Sequence, residues 1–244
     1  MAWILHNDKT APQDPRVVTR WFAALSQNSS RIKAPTKLHY GPNIEQIAWG
    51  YNIPQGDTVN WFKLLLLNDE DLPAHLRHSE HIQKTKGMLD RLQKNVIQVT
   101  ADYLKQLWLH ALRIIEKTHG DSLHNASIHI VFAVPAIFKQ YGRERIANAA
   151  WLAGMLNSIH MCEDTTLSFV TEPECAVIST LPELGYHGLE TGDSITVCDC
   201  GGGTVDVISY SVTQETPFSI RECVEGDGRS SIHLFEGVGL CTKF

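Results

Sequence analysis

Three consecutive glycines followed by a threonine form the segment of the chain that is most suggestive of chemistry. They lie between two runs rich in apolar and β-branched residues, at 195–199 and 204–212, which predict strands. A glycine triplet weakens an ordinary hairpin, because glycine loses the most backbone entropy on folding. Without side chains, however, successive N–H groups can surround an anion, and a threonine hydroxyl adds a donor. The pattern favours a phosphate-binding loop made of Gly201, Gly202, Gly203 and Thr204.

Two aspartates flank this loop, Asp199 before it and Asp206 after it. Carboxylates suit a hydrated Mg²⁺ ion, which commonly accompanies nucleotide phosphates. The alternative is a glycine-rich hairpin with two solvated aspartates, and the spacing alone leaves both interpretations open. The segment matches neither of the two common nucleotide motifs, G-x-x-x-x-G-K-[ST] and G-x-G-x-x-G.

The residues before this loop predict alternating strands and helices. Short apolar runs at 37–40 and 47–49 predict strands in a region rich in turn formers. Apolar residues at spacings of three and four, from Val96 to Ile114, predict a helix that Gly120 ends, within a helical stretch over about 74–119. Further predicted elements are a strand over 128–134 covered on both faces, a helix over 141–156, a strand over 167–171, a helix from Glu172 and a strand over 218–224. This order predicts an α/β fold with a mostly parallel sheet.

Composition excludes several classes of protein. The chain has 244 residues and a net charge of −6, which argues against a general nucleic-acid binder. No apolar stretch approaches the roughly 20 residues that a membrane span needs, and the N-terminus does not resemble a signal peptide. The six cysteines include no C-x-x-C pair, so we expect buried thiols in a reducing, cytoplasmic compartment. Partners of the nucleic-acid and membrane classes are therefore not expected.

Several further segments occur in a specific order before the glycine loop. Together with the run Asp-Cys-Gly-Gly-Gly-Thr-Val-Asp, they make the chain resemble the DnaK-type heat-shock chaperone ATPases of the actin-like superfamily. The amino-acid sequence of this run is most similar to that of a divergent branch of the family, heat shock protein family A member twelve with its fungal relatives. The resemblance covers about residues 16–228. The segments are KAPT at 33–36, WGY at 49–51, WFKLLL at 61–66, FAVPAIF at 132–138, Arg143 and FVTEPECA at 169–176.

The resemblance implies an actin-like, ribonuclease-H-like α/β fold that uses ATP or ADP and Mg²⁺. The glycine loop would contact the β- and γ-phosphates. Asp199 and Asp206 would hold the water shell of Mg²⁺ or orient the attacking water. Positioning and charge neutralisation are what phosphoryl transfer requires of a protein. The remaining implied roles are Glu172 as the carboxylate that positions metal-bound water, Lys63 as the lysine that reaches the γ-phosphate, and Pro135 with Arg143 as a switch pair that relays nucleotide state.

Each of these residues also has a plainer interpretation. Glu172 could simply stabilise a helix N-terminus, and Lys63 could extend to solvent from an apolar segment. Pro135 could only end a strand, and Arg143 could be a solvated helix residue. For two other groups we expect no metal: a solvated helix face for His75, His78 and His81, and a core position for Cys198 and Cys200.

The resemblance also implies a domain organisation. Family members begin with a strand and an Asp-x-Gly-Thr turn, the first phosphate loop, and residues 2–6 resemble the strand that follows it. We therefore expect a chain truncated at both ends, with lobe I over 1–190, a subdomain inserted at about 36–100, and the start of lobe II over 191–244.

The expected function is that of an ATP-binding, chaperone-type domain whose parent family hydrolyses ATP to drive a conformational switch. For the chain as given we expect weak or no nucleotide affinity and no turnover. Client proteins and co-chaperones would engage regions outside it. Two alternatives stay open, a non-catalytic interaction module that has kept the fold and a metabolite kinase of the same superfamily.

Overall fold

A computed structural model of the chain describes residues 1–4, 15–21, 31–120, 127–156, 165–183, 189–200, 205–215 and 218–223. Within it the chain forms two compact units. The first comprises Met1–Ile128 and Glu144–Thr166, and the second comprises His129–Arg143 and Leu167–Phe244. The predicted lobe boundary at residue 190 lies inside the second unit and remains a prediction.

The described elements follow the predicted alternation of strands and helices. In chain order they are β1 Ala2–Trp3, β2 Arg16–Val17, β3 Leu38–Tyr40, β4 Ile47–Trp49, a 3-10 helix Phe62–Leu66, a 3-10 turn Asp69–Asp71, α1 Ala74–Arg77, α2 Glu80–Leu92, α3 Val96–His119, β5 Ile128–Val134, α4 Gln140–Leu152, β6 Thr165–Thr171, α5 Glu172–Glu183, β7 Ser194–Cys200, β8 Val205–Glu215 and β9 Phe218–Glu222. No helix of the described residues is long and apolar enough to cross a membrane.

The long helix α3 has strong signals at both ends. Asn95 accepts a hydrogen bond from the backbone N–H of Gln98, and the Gln98 side chain accepts one from the backbone N–H of Asn95, both at 2.9 Å. This reciprocal capping box satisfies two backbone donors that the helix itself leaves unpaired. At the other end Gly120 has φ of 56°, a conformation that glycine adopts without steric cost, as predicted for the residue that ends this helix.

The core of the first unit forms on the predicted apolar face of α3. Val99 and Tyr103 lie in a cluster with strand β3 and the 3-10 helix, through Leu38 and Phe62. Closer to the C-terminus of α3, Ala111 packs in a second cluster, with Val18, Trp21 and the half-buried Trp49. The helical periodicity read from the sequence therefore identifies the buried face correctly.

The strand pairs whose registers are described are antiparallel: β1–β2, β3–β4, β7–β8 and β8–β9. The prediction of a mostly parallel sheet is wrong for these pairs. The reason is the length of the connections, since only four residues separate β7 from β8 and two separate β8 from β9. A parallel pair requires a crossover of about a dozen residues or more.

Strand β5 is covered on one face rather than two. Its residues alternate between partly buried and exposed, and His129, Val131 and Ala133 are exposed. Successive side chains of a strand point to opposite faces, so this alternation assigns all exposed residues to one face. The predicted two-sided coverage is wrong, because partly apolar residues at alternate positions do not by themselves bring a second layer.

Candidate functional site

The hairpin of β7 and β8 presents the segment that the sequence singles out. Its backbone register is continuous from Ser194↔Ser211 to Cys200↔Val205, and Asp199 is the Cα partner of Asp206. The two aspartates are therefore opposite one another on the paired strands, next to the connection. The connection itself, Gly201–Thr204, lies outside the described residues.

One face of this hairpin is the core of the second unit. Ile208 and Tyr210 of β8 are 4% and 5% exposed and pack with Val177 of α5. Ile195 and Val197, their cross-strand partners on β7, complete the apolar contact with α5. Each large buried side chain contributes roughly 1.5–3 kcal/mol, so the packing of α5 holds the hairpin in place.

The opposite end of the hairpin is closed by backbone hydrogen bonds. Gly192 N–H donates to the carbonyl of Val212 at 2.9 Å, and Val212 N–H donates to the carbonyl of Asp193 at 2.8 Å. Gly192 has φ of 102°, which a side chain would strain. The Glu215 carboxylate accepts from both the backbone N–H and the hydroxyl of Thr191, at 3.0 and 3.2 Å. The strands are thus fixed both along their length and at this end.

Helix α5 begins at the predicted carboxylate, Glu172, directly after strand β6. Glu172 is half-buried and lies in the first turn, where the helix dipole stabilises negative charge. Thr171, the residue before it, accepts a hydrogen bond from the Glu174 backbone N–H at 3.3 Å. The hydroxyl of Thr171 also hydrogen-bonds Tyr210 of β8. Thr171 therefore links the start of α5 to β8, the strand that follows the glycine loop.

The surroundings of this first turn carry negative charge. Burial raises the pKa of the Cys175 thiol, and Glu174 and Glu172 raise it further. Burial likewise raises the pKa of Tyr210, the hydrogen bond from Thr171 opposes that increase, and Glu174 adds to it. A negative environment of this kind attracts a cation rather than an anion.

Lys63 belongs to the first unit and the other predicted site residues to the second. It is exposed within the 3-10 helix Phe62–Leu66, between the buried Phe62 and Leu64. This placement is expected for a lysine whose side chain extends to solvent from an apolar segment.

The predicted switch residues lie at the end of β5 and at the start of α4. Pro135 is buried, and its carbonyl accepts a hydrogen bond from Phe138 N–H at 3.0 Å in the turn that ends β5. Arg143 is half-buried, and its Nε is buried without a hydrogen-bond partner. This Nε is therefore not solvated, and an unpaired buried donor carries a desolvation cost of about 1–3 kcal/mol.

The cysteine and histidine predictions have mixed outcomes. Cys198 is exposed, so its predicted core position is wrong, and the side chains of Cys200 and His75 lie outside the described residues. His78 and His81 are exposed, as predicted for a solvated face, and the His81 ring stacks on Trp61 with 5.5 Å between centroids. Across the described ranges, no group of three or more histidine, cysteine or acidic residues could hold a metal ion.

Two residues of this site were missed from the sequence, Thr171 and Tyr210. Thr171 had a local signal, because Thr-Glu-Pro-Glu has the T-x-x-E spacing of an N-terminal capping box. Tyr210 had none beyond its place in an apolar strand, since its partner is far away in the sequence. The structure brings together Asp199 with Asp206, and Tyr210 with the helix turn that carries Glu172.

Comparisons with known proteins identify distant relatives. The chain is 29% identical over 201 residues to the chaperone protein HscA homolog of Actinobacillus pleuropneumoniae, which covers 75% of this chain and 28% of that protein. It is 28% identical over 201 residues to the chaperone protein HscA of Yersinia enterocolitica, with the same coverage. To the HscA homolog of Vibrio vulnificus it is 32% identical over 142 residues, which is 56% of this chain and 18% of that protein. No family model matches the chain.

These similarities support the Hsp70, or DnaK-type, chaperone family, and they do not distinguish the divergent branch within it. The mixed α/β architecture is consistent with an actin-like ATPase fold in general. The chain spans about 28% of the length of the first relatives it matches.

Proposed function

We propose that this chain carries the phosphate-binding hairpin of an ATP-binding domain of the DnaK-type chaperones. One observation carries the proposal: Asp199 and Asp206 are Cα partners at the glycine-loop end of a hairpin that α5 buttresses. The similarity to proteins named chaperone protein HscA supports the same family. Because the chain spans only part of those relatives, ATP hydrolysis and a conformational switch are proposed for the domain as a whole.

The residue types fit Mg²⁺ and a nucleotide phosphate. Mg²⁺ prefers oxygen ligands and keeps several waters, so one or two carboxylates are enough to hold it. Asp199 and Asp206 supply such carboxylates, and Glu172 adds a third in the negatively charged first turn of α5. The backbone N–H groups of Gly201–Gly203 and the Thr204 hydroxyl would hold the β- and γ-phosphates. The bound cation would offset the charge of the phosphates.

The remaining roles belong to the same proposal. Lys63 would reach the γ-phosphate, and Pro135 with Arg143 would relay nucleotide state to partner regions. The unpaired buried Nε of Arg143 supports that relay, since a conformational change on nucleotide binding would give this nitrogen a hydrogen-bond partner. We further propose a cytoplasmic member of the divergent branch, with lobe I over 1–190 and lobe II from 191, whose partners are client proteins and co-chaperones.

A nucleotide titration of the ¹⁵N-labelled 244-residue chain tests the proposal. Two-dimensional amide spectra detect even millimolar binding, and glycine amides fall in a separate region of the spectrum. We expect Mg-ATP to shift the amides of Gly201, Gly202 and Gly203 in a saturable manner, and Mg-AMP to shift them much less. Omitting Mg²⁺ should weaken ATP binding, because the carboxylates and phosphates then repel one another.

Two variants separate phosphate binding from unspecific effects of charge. Gly202→Val should abolish the response, because a side chain blocks close approach of the backbone to an anion. Asp199→Asn should weaken the dependence on Mg²⁺. Asp90→Asn makes the same charge change at an exposed position of α2 and should leave both responses unchanged. Equal shifts with ATP and AMP, or a normal response of Gly202→Val, would contradict the proposal.

A further inference from the structure

The first unit contains a second, unrelated feature that suggests ligand binding. A cavity of about 590 Å³ lies between strand β2 and the last turns of α3. Its size falls in the range of about 300–1,000 Å³ that is typical of sites for small molecules. Nothing in the proposed role of the glycine hairpin uses this cavity. Its lining residues are Trp3, Val17, Thr19, Arg20, His110, Arg113, Ile114, Lys117 and Thr118.

The charged lining of this cavity is entirely basic in the part of the chain that the structure describes. Arg20 lies three residues after the end of β2, and Arg113 and Lys117 come from successive turns of α3. The described ion pairs of the chain involve other residues and include none of these three. Cations gathered around one cavity repel each other, and a bound anion would remove that repulsion.

The backbone at Arg20 supports a functional interpretation. Arg20 has φ of 59°, a left-handed conformation that is uncommon for residues other than glycine. Such a conformation costs about 1–3 kcal/mol and persists where the surrounding structure holds it in place. The next residue, Trp21, is buried, and its indole donates to the carbonyl of Arg31 at 2.7 Å. The chain thus turns at Arg20, which lines the cavity, directly before the buried and hydrogen-bonded Trp21.

Ring contacts and hydrogen bonds hold the walls between the cations in place. His110 is 4% exposed, stacks on Trp21 at 5.0 Å, and contacts the carbonyl of Thr19 at 3.2 Å through Nε2. Burial lowers the pKa of His110, and the nearby Arg113 lowers it further against the effect of that carbonyl. Trp3 donates from its indole to His119 at 3.3 Å, which fixes β1 against α3.

Apolar surface is also available to a ligand. Val17 is 42% exposed, and Ile114 is half-buried beside it in the lining. An anion alone would leave this surface in contact with water, whereas a ligand with an apolar or aromatic body would cover it. Arginine is favoured where phosphate is recognised, because its planar guanidinium can bind two phosphate oxygens at once.

We propose that this cavity binds a phosphate monoester with an apolar body, held by Arg20, Arg113 and Lys117. The phosphate lies among the three cations, and the body of the ligand rests on Trp3, Val17 and Ile114. This site belongs to the first unit and is independent of the glycine loop.

Phenyl phosphate is a suitable probe, and amide spectra of the ¹⁵N-labelled 244-residue chain report where it binds. We expect saturable shifts at residues 17–20 and 110–118. Inorganic phosphate, which lacks the apolar body, and benzyl alcohol, which lacks the charge, should each bind at least about tenfold more weakly. Benzoate, with a single charge, should fall between them and phenyl phosphate.

Variants at exposed positions test the role of the cations without removing core contacts. The double variant Arg113→Gln with Lys117→Gln should weaken phenyl phosphate binding about tenfold or more. Lys105→Gln changes an exposed lysine of the same helix outside the cavity and should have no effect. Gly202→Val should also leave this binding intact, which distinguishes the site from the glycine loop.

Several results would overturn the assignment. Absence of shifts with phenyl phosphate would refute it, and so would equal binding of phenyl phosphate and benzyl alcohol. Equal effects of the double variant and of Lys105→Gln would indicate attraction by net charge alone and would also refute it. Circular dichroism of each variant establishes that the fold is retained.

Discussion

The hydroxyl pair between Thr171 and Tyr210 provides a sharp test of how the candidate site is held together. Thr171 caps α5, and Tyr210 lies on the strand that leaves the glycine loop. Tyr210→Phe removes one hydroxyl and keeps the ring, which is 5% exposed, so no cavity is formed. We expect it to destabilise α5 by about 1 kcal/mol, the usual net value of a hydrogen bond.

Thr171→Val should cost more than Tyr210→Phe. It keeps the shape of the side chain but loses both the contact with Tyr210 and the cap on Glu174 N–H. A lost N-cap costs about 0.5–2 kcal/mol, so the total is about 1.5–3 kcal/mol. Because both variants remove the same hydroxyl pair, the double variant should be more stable than the sum predicts, by about 1 kcal/mol.

Hydrogen exchange of the α5 amides is the appropriate assay, because it reports local opening in a chain of two compact units. A change of 1 kcal/mol alters the exchange rate about fivefold. Thr196→Val is the matched control, since the Thr196 hydroxyl pairs with the Ser209 hydroxyl at 3.0 Å on the exposed face of the same hairpin. It should change exchange in α5 by less than about twofold. Additive effects of Thr171→Val and Tyr210→Phe would refute the hydroxyl contact between Thr171 and Tyr210.

Three further predictions concern the first unit. Burial and the hydrogen bond to Asp102 raise the pKa of Tyr40 above its usual value of 10.0, so the folded state keeps this proton longer than the unfolded state does. Stability present below pH 10 should therefore be lost as the pH rises above it, and Tyr40→Phe should reduce that loss in urea denaturation. Burial lowers the pKa of His110 from 6.5, so stability should fall as the pH drops below 6.5, and less steeply in His110→Phe; thermal melts from pH 7.5 to 5.5 measure this. Asn95→Ala removes the capping box with Gln98 and should cost about 1 kcal/mol in urea denaturation, whereas an unchanged midpoint would contradict that contact.

Local patterns of the sequence were sufficient for the elements around the site. The strands predicted at 195–199 and 218–224 correspond to Ser194–Cys200 and Phe218–Glu222, because alternation and turn residues are local signals. The end of the long helix at Gly120 follows in the same way from one glycine.

Features that depend on distant partners could not be predicted. The direction of strand pairing and the exposure of Val131 depend on which strand or layer lies beside each element, and alternation in a single strand does not specify this. The contact between Thr171 and Tyr210 joins two elements through side chains that have no shared sequence pattern. The pairing of Asp199 with Asp206, by contrast, follows from the two flanking strands once a hairpin is assumed.

The central claim is that the glycine loop binds the terminal phosphates of ATP, and covalent mapping tests it most directly. An ATP analogue that carries a photoreactive azidoanilide group on its γ-phosphate can be crosslinked to the chain in the presence of Mg²⁺, and the labelled peptide identified by mass spectrometry. We predict labelling within residues 199–206 that unlabelled ATP prevents and that Gly202→Val abolishes. Labelling that is spread over the surface, or that excess ATP does not reduce, would contradict the account.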